Sequence, residues 1–262
     1  MARQMLVFVI GAAGAGKSTF TSSFRDWLRS QEVPSFTVNL DPAVEELEYD
    51  PDVDVREYVF TRNIMERYSL GPNGAIIASM DILLEYVSEI DERVKKLGEG
   101  YILVDTPGQM EIFTFRRSGK YLVESLCTEE RICAIVFVCD SVIIEKASDL
   151  VAQLLSAASV FYRFTLPMVA ILNKVDVVPP PEREKITRWT DDPQELEREL
   201  LEEHFFGREV YLSISGLIES IPIIPTSART GHGLDKVYIR LQGIFRGGED
   251  YERTTSLTED LF

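Results

Sequence analysis

Short, almost wholly apolar runs alternate along this chain with longer segments whose apolar residues recur every three or four positions. Six runs predict strands: 5–10 (MLVFVI), 34–41 (PSFTVNLD), 101–105 (YILVD), 132–140 (ICAIVFVCD), 166–176 (LPMVAILNKVD) and 221–228 (IPIIPTSA). Several lack a polar face, as strands do when a parallel sheet is covered on both sides. Between them, 20–30 (FTSSFRDWLRS) and 147–164 (ASDLVAQLLSAASVFYRF) carry helical spacing, the second apolar around much of its circumference. The rhythm predicts one α/β domain over residues 1–246, with a mostly parallel central sheet and helices on both faces.

Two stretches break that rhythm. Residues 43–98 read as helical with interruptions; inside them Gly71-Pro72-Asn73-Gly74 forms a turn, followed by a helix with Ile76, Leu83, Leu84, Val87 and Ile90 on roughly one face. There the glycines permit a sharp bend, Pro72 fixes its own φ, and Asn73 projects a neutral donor and acceptor. By pattern alone such a turn reads as a helix cap. Residues 179–213 are charged and read as a helical insertion with a solvated face, and 247–262 as an acidic, mobile tail.

Chemistry enters where the runs end. The first apolar run leads into GAAGAGKST, which fits G-x-x-x-x-G-K-S/T at Gly11, Gly16, Lys17 and Ser18. Such a loop turns backbone N–H groups of Gly14, Ala15, Gly16, Lys17, Ser18 and Thr19 toward a diphosphate at the positive end of a helix. Lys17 reaches the β and γ phosphates, and Ser18 offers its hydroxyl to Mg²⁺. Together with the strand rhythm this predicts a P-loop NTPase fold.

Asp105-Thr106-Pro107-Gly108-Gln109 follows the third run, placing a carboxylate for Mg²⁺ and a Gly108 N–H for a γ phosphate. Asn173-Lys174-Val175-Asp176 fits N-K-x-D: Asp176 can accept both N1–H and N2–H₂ of guanine, a donor pair adenine lacks. Asn173 can tie that loop to the phosphate turn, and the stem of Lys174 can cover the purine. Thr226-Ser227-Ala228 matches the short turn whose N–H meets guanine O6. The cofactors expected are therefore GTP/GDP and Mg²⁺.

Composition narrows the partners. A formal charge of −16 with no segregated basic face argues against a nucleic-acid backbone. No apolar run reaches the length of a membrane span, so a cytoplasmic protein is expected. Cys127, Cys133 and Cys139 are too few for a disulfide framework and fit no zinc spacing; Cys133 and Cys139 read as small buried hydrophobes. Arg116, Arg117 and Lys120 read as a solvated helical face. His204 and His232 have no second histidine at ligand spacing.

These motifs resemble the GPN-loop GTPases of the SIMIBI class: GAAGAGKST at 11–19, NLDPA at 39–43, GPN at 71–73, DTPGQME at 105–111, NKVD at 173–176 and TSA at 226–228. The likeness covers roughly residues 4–246. It implies a dimeric GTPase, with Gly71, Pro72 and Asn73 at the partner's nucleotide site and the short tail of the archaeal homodimers. It also implies a client protein, such as RNA polymerase or its assembly factors. Asp41 and Gln109 are assigned to the attacking water, with Glu111 behind them and Asp41 also near the metal with Ser18 and Asp105. Asn73 completes the catalytic set. Ala12 and Ala13 stand where many SIMIBI proteins carry a second lysine, so slow turnover is expected. The alternatives are a nickel-loading metallochaperone of the same class, which two histidines and scattered cysteines disfavour, and a small-molecule kinase, which lacks a recognisable acceptor lid.

Overall fold

The computed structural model describes residues 4–203, 212, 215–216 and 223–246. Among them, seven strands form one parallel sheet: β1 (Gln4–Gly11), β2 (Ser35–Asn39), β3 (Val53–Asp54), β4 (Gly100–Asp105), β5 (Arg131–Asp140), β6 (Met168–Asn173) and β7 (Ile223–Pro225), in the order β3-β2-β4-β1-β5-β6-β7. β1 lies in the middle, pairing with β4 (Val9↔Asp105) and β5 (Gly11↔Val138). The P-loop NTPase architecture is therefore the observed one.

Strand period two sorts the core into two layers. Val7 and Val9 join Phe20, Phe24 and Leu28 of α1 (Lys17–Ser30) and Leu234, Val237 and Leu241 of α10 (Leu234–Phe245). Leu6, Phe8 and Ile10 face the opposite layer, filled from the remaining helices. All five are fully buried, which explains why β1 reads as an unbroken apolar run.

The region 43–98 contains more than helix. β3 pairs with β2 through Val38↔Val53 and Asn39↔Asp54, a two-residue edge strand too short for any periodicity to announce. Then follow α2 (Thr61–Tyr68), α3 (Pro72–Leu83), a 3-10 turn at Leu84–Tyr86 and α4 (Val87–Lys95). Gly71-Pro72-Asn73 begins α3, with Gly71 as N-cap and Pro72 in the first turn, where a missing N–H costs nothing. The bend expected of the glycines is made by Ser69, whose φ of 52° ends α2; Gly71 and Gly74 stay out of the left-handed region.

α5 (Met110–Phe115) and α6 (Arg117–Leu126) follow β4, and α7 (Ala147–Phe164) matches the expected helix residue for residue. The charged stretch after 179 forms α8 (Pro180–Asp191) and α9 (Pro193–Glu203), and it is not solvated all round. Ile186, Trp189, Leu196 and Leu200 enter the core, and the Glu203 carboxylate accepts from Ala147 and Ser148 N–H at the start of α7. The expected tail at 247–262, the end of the insertion and His204 lie outside the described residues.

Cys127 and Cys133 form a disulfide, correcting the reading of Cys133 as a free hydrophobe; Cys139 is free and buried. The tight return between α6 and β5, closed by Arg131 N–H to Thr128 O at 3.0 Å, brings the two side by side, Cα 6.0 Å apart. No helix among the described residues is long and apolar enough to cross a membrane.

Candidate nucleotide site

The carboxyl ends of β1, β2, β4, β5 and β6 open onto linked loops, the edge where open α/β sheets take ligands. Gly11 packs so closely on β5 that an added Cβ would stand 2.4 Å from Val138 O. Gly14 and Gly16 turn the loop with φ of 77° and 96°, conformations that suit glycine. Gly16 then caps α1 with no side chain over its N–H groups, so the first turn, with Ser18 and Thr19, is open to an anion. Lys17 is buried, its Nζ donating to Gly11 O at 3.0 Å and Ala12 O at 3.1 Å. Burial lowers its pKa, and Asp105, Asp41 and Glu111 oppose the shift.

Asp105 ends β4 at 2 % exposure. Its Oδ2 accepts from the Tyr49 hydroxyl at 3.1 Å, and its Oδ1 has no hydrogen-bond partner. Burial pushes its pKa to about 6, against the pull of Ser18, Lys17 and Tyr49. A buried carboxylate oxygen without a donor, beside a serine hydroxyl, is the donor chemistry a hard divalent cation takes, so Ser18 and Asp105 fit Mg²⁺.

Asp41 meets Gly108: Asp41 Oδ2 accepts from Gly108 N–H at 2.9 Å, and Oδ1 from Ala43 N–H at 2.8 Å. The carboxylate assigned to water and the N–H assigned to γ phosphate thus satisfy each other. Gln109 Nε2 donates to Asn73 Oδ1 at 3.1 Å within the same chain, bringing the GPN turn to the DTPGQ loop. Glu111 stands exposed in the first turn of α5.

At the other end, Asn173 does what its position promised. Its Nδ2 donates to Ala15 O at 2.9 Å, and its Oδ1 accepts from Ala228 N–H at 3.0 Å. A Cβ on Gly16 would stand 2.4 Å from that Nδ2. Lys174 donates to Gly14 O and to Asp140 Oδ2, both at 2.6 Å. Thr226 N–H pairs with Leu172 O and Ser227 N–H with His232 O, so a guanine O6 would share the Ala228 N–H with Asn173. Asp176 is exposed. With Ser227, Arg188 and Lys236 it rims a cavity of about 840 Å³ against α8, which no phosphate-loop residue lines.

Three parts of the site escaped the sequence reading. Asp140 carries the signal that found Asp41 and Asp105, a carboxylate ending an apolar strand. Tyr49 has no such signal; it is one aromatic residue in an acidic loop. The third is a brace under Asp41: Asn39 Oδ1 accepts from Asp41 N–H at 3.0 Å, and Asn39 Nδ2 donates to Asp54 Oδ1 at 2.9 Å. Asp54 in turn pairs with Arg56 at 2.7 Å, and although burial pushes its carboxyl up, Arg56 and Asn39 hold it below the usual range.

A family model described as "Conserved hypothetical ATP binding protein" matches residues 9–246. The chain is 35% identical over 237 residues to "GPN-loop GTPase PAB0955" of Pyrococcus abyssi, covering 88% of this chain and 93% of that protein. It is 30% identical to "GPN-loop GTPase 1" of Dictyostelium discoideum, over 94% of this chain and 62% of that one. The chain thus spans less than two thirds of the length of that relative, as it does of the Schizosaccharomyces pombe one, at 65%. Among solved structures, that of PAB0955, titled a GTPase in apo form, superposes with a TM-score of 0.82 at 33% identity, over 92% of this chain and 97% of that one.

Proposed function

The chain belongs to the GPN-loop GTPase family, and on that premise we propose that it binds GTP with Mg²⁺ and hydrolyses it to GDP and phosphate as a dimeric switch. The observation that carries the reading is Asn173, whose amide joins Ala15 of the phosphate loop to Ala228 of the TSA turn. A phosphate cradle and a guanine-selecting loop are thereby one rigid unit.

Lys17 gives up its carbonyl partners to the β and γ phosphates, and the N–H groups of residues 14–19 hold the same anion. Ser18 and Asp105, with Asp41 at the rim, are the residues to hold Mg²⁺, which when bound neutralises charge on the transferring phosphoryl group. The γ phosphate draws Gly108 N–H away from Asp41. Freed, the Asp41 carboxylate accepts a hydrogen bond from the attacking water, with Gln109 as its neutral companion and Glu111 behind. Asp176 selects guanine over adenine by accepting its two edge donors; the description of the family model names ATP, and this carboxylate favours GTP. Gln109 and Asn73 change partners together, and the Gly71–Asn73 turn meets the nucleotide site of a second copy. The client, on the resemblance, is a protein complex under assembly such as RNA polymerase, with neither membrane nor nucleic acid as direct partner.

Calorimetry with GTP and ATP in the presence of Mg²⁺ tests the reading. GTP is expected to bind at least about a hundredfold more tightly, since a site built on paired hydrogen bonds rejects the base that lacks them. Phosphate is expected from GTP with no acceptor added. Equal affinities, or phosphate release only with a small-molecule acceptor, would overturn it.

A further inference from the structure

Asp140 has no place in the motifs, yet its carboxylate is bonded to Lys174 of the base-recognition loop. It ends β5, in register with Asn173 on β6. Gln153 of α7 grips its backbone from both sides, accepting from Asp140 N–H at 2.7 Å and donating to Asp140 O at 3.0 Å. Its carboxylate is thus aimed: Oδ1 accepts from Val142 N–H at 3.0 Å, and Oδ2 meets Lys174 Nζ at 2.6 Å. The same Nζ donates to Gly14 O at 2.6 Å. Next to Asp140, the Ser141 hydroxyl donates to Asn173 O at 2.6 Å.

Lys174 needs such a hold. Its backbone lies at φ 67°, where a lysine has no preference to be, and its long stem has many rotamers to lose. Without an anchor the ammonium would swing into water and take the stem off the face of the bound purine. Two acceptors, one on the phosphate loop and one on β5, hold the ammonium and with it the far end of that stem. The ion pair is mostly sheltered, with Asp140 at 14% and Lys174 at 33% side-chain exposure, so solvent does not dissolve it as it does a surface pair.

We propose that Asp140 is a positioning residue for nucleotide recognition: by holding Lys174 against Gly14 it sets the purine-covering stem and couples the base-recognition loop to the phosphate loop. This rests on the guanine-nucleotide reading above. Asp140 touches neither base nor phosphate, and its effect passes through Lys174.

The test is stopped-flow release of a fluorescent GDP analogue from the full chain carrying Asp140→Ala, Lys174→Met, or both. Each single change is expected to speed release about tenfold, the worth of one charge-assisted hydrogen bond. The double variant is expected to be no faster than Lys174→Met, because the two groups act as a unit. Asp140→Asn separates this role from a merely structural one: it keeps the acceptor for Val142 N–H but turns an NH₂ group toward Nζ. It is expected to melt as the wild type does without nucleotide, yet to release the analogue as fast as Asp140→Ala. Additive effects in the double variant, or wild-type release from Asp140→Asn, overturn the proposal. A wild-type protein that holds an ADP analogue as tightly as the GDP one fails the guanine reading instead.

Discussion

At the base-recognition end of the site, the polar groups already bond to one another: Asn173 to Ala15 and Ala228, Lys174 to Gly14 and Asp140, Ser141 to Asn173. At the phosphate end the contacts are ones a ligand must displace. Lys17 is curled onto its own loop, Gly108 N–H is held by Asp41, Gln109 by Asn73, and Asp105 keeps one oxygen with no partner at all. The first arrangement is preorganised, and a base bound there would only share the Ala228 N–H with Asn173. The second holds unsatisfied or displaceable bonds, so on the proposed function occupancy would rearrange it, as a nucleotide-driven switch requires. On the proposed function, specificity and switching would be divided between two ends of one sheet edge, joined at Asn173 and Gly16.

Asp41→Ala breaks the comparison hardest. If the phosphate end is where chemistry and rearrangement reside, the variant binds GTP, since the change releases Gly108 N–H and removes nothing from the base end. Hydrolysis falls by about a hundredfold or more, the usual worth of a group that orients the nucleophile. Single-turnover phosphate release measures it; an unchanged rate removes Asp41 from the mechanism.

Asp105→Asn comes next, and its effect depends on pH. An acid whose pKa is raised from 3.8 to about 6 on folding binds its proton more tightly in the folded state. Its carboxyl therefore favours the fold at low pH and opposes it as pH rises through 4 to 6, with the full penalty present above pH 6. That penalty is about 3 kcal/mol in the nucleotide-free protein. The asparagine variant carries no such charge, so without nucleotide it is expected to be the more stable protein at pH 7.5 by about that amount. The gap should close toward pH 4.5, as denaturant unfolding at the two pH values would show. Stabilisation by GTP with Mg²⁺ is expected to vanish. A gap independent of pH would mean that the Asp105 carboxylate is satisfied in the empty protein and that the phosphate end is not under electrostatic tension.

How much of this division was legible beforehand follows from what each part looks like in one dimension. The bonds of the base end span long separations, 158 positions from Asn173 to Ala15, but there both partners lie in motifs. That bond could therefore be anticipated from N-K-x-D and the phosphate loop, whereas Asp140, in no motif, was missed. Six of the seven described strands declared themselves, most of them because burial on both faces leaves them nearly all apolar, though β2 carries Ser35, Thr37 and Asn39. β3 did not, since two residues carry no period and Pro51 with its aspartates reads as loop. Nor did the bend at Ser69, since a serine does not by itself announce the left-handed cap it makes at the end of α2. The supports of the phosphate end were hidden because Tyr49, 56 positions from Asp105, and Asp54, 15 from Asn39, belong to no motif that would announce them. Pairings at such separations are settled by topology. The disulfide belongs here too, for two cysteines six apart carry no message until the turn between them is known.

Tyr49→Phe gives the smallest effect and the sharpest test of which contacts are provisional. The Tyr49 hydroxyl is buried, and desolvation followed by the neighbouring Asp105 charge raises its pKa, so it remains a donor at any ordinary pH. Removing it leaves Asp105 Oδ2 without its donor, as Oδ1 already is, at an expected cost of about 1 kcal/mol to the nucleotide-free protein. If that bond is a placeholder for the loaded state, the cost disappears once GTP and Mg²⁺ are bound. The rise in melting temperature on loading is then larger in the variant than in the wild type. If instead the hydroxyl holds Asp105 in both states, empty and loaded proteins lose the same stability and the rise is unchanged. In that event Asp105 belongs with Asn173 and Lys174 among the groups already in place, and the moving part of the phosphate end shrinks to Asp41, Gly108 and the pair formed by Gln109 and Asn73.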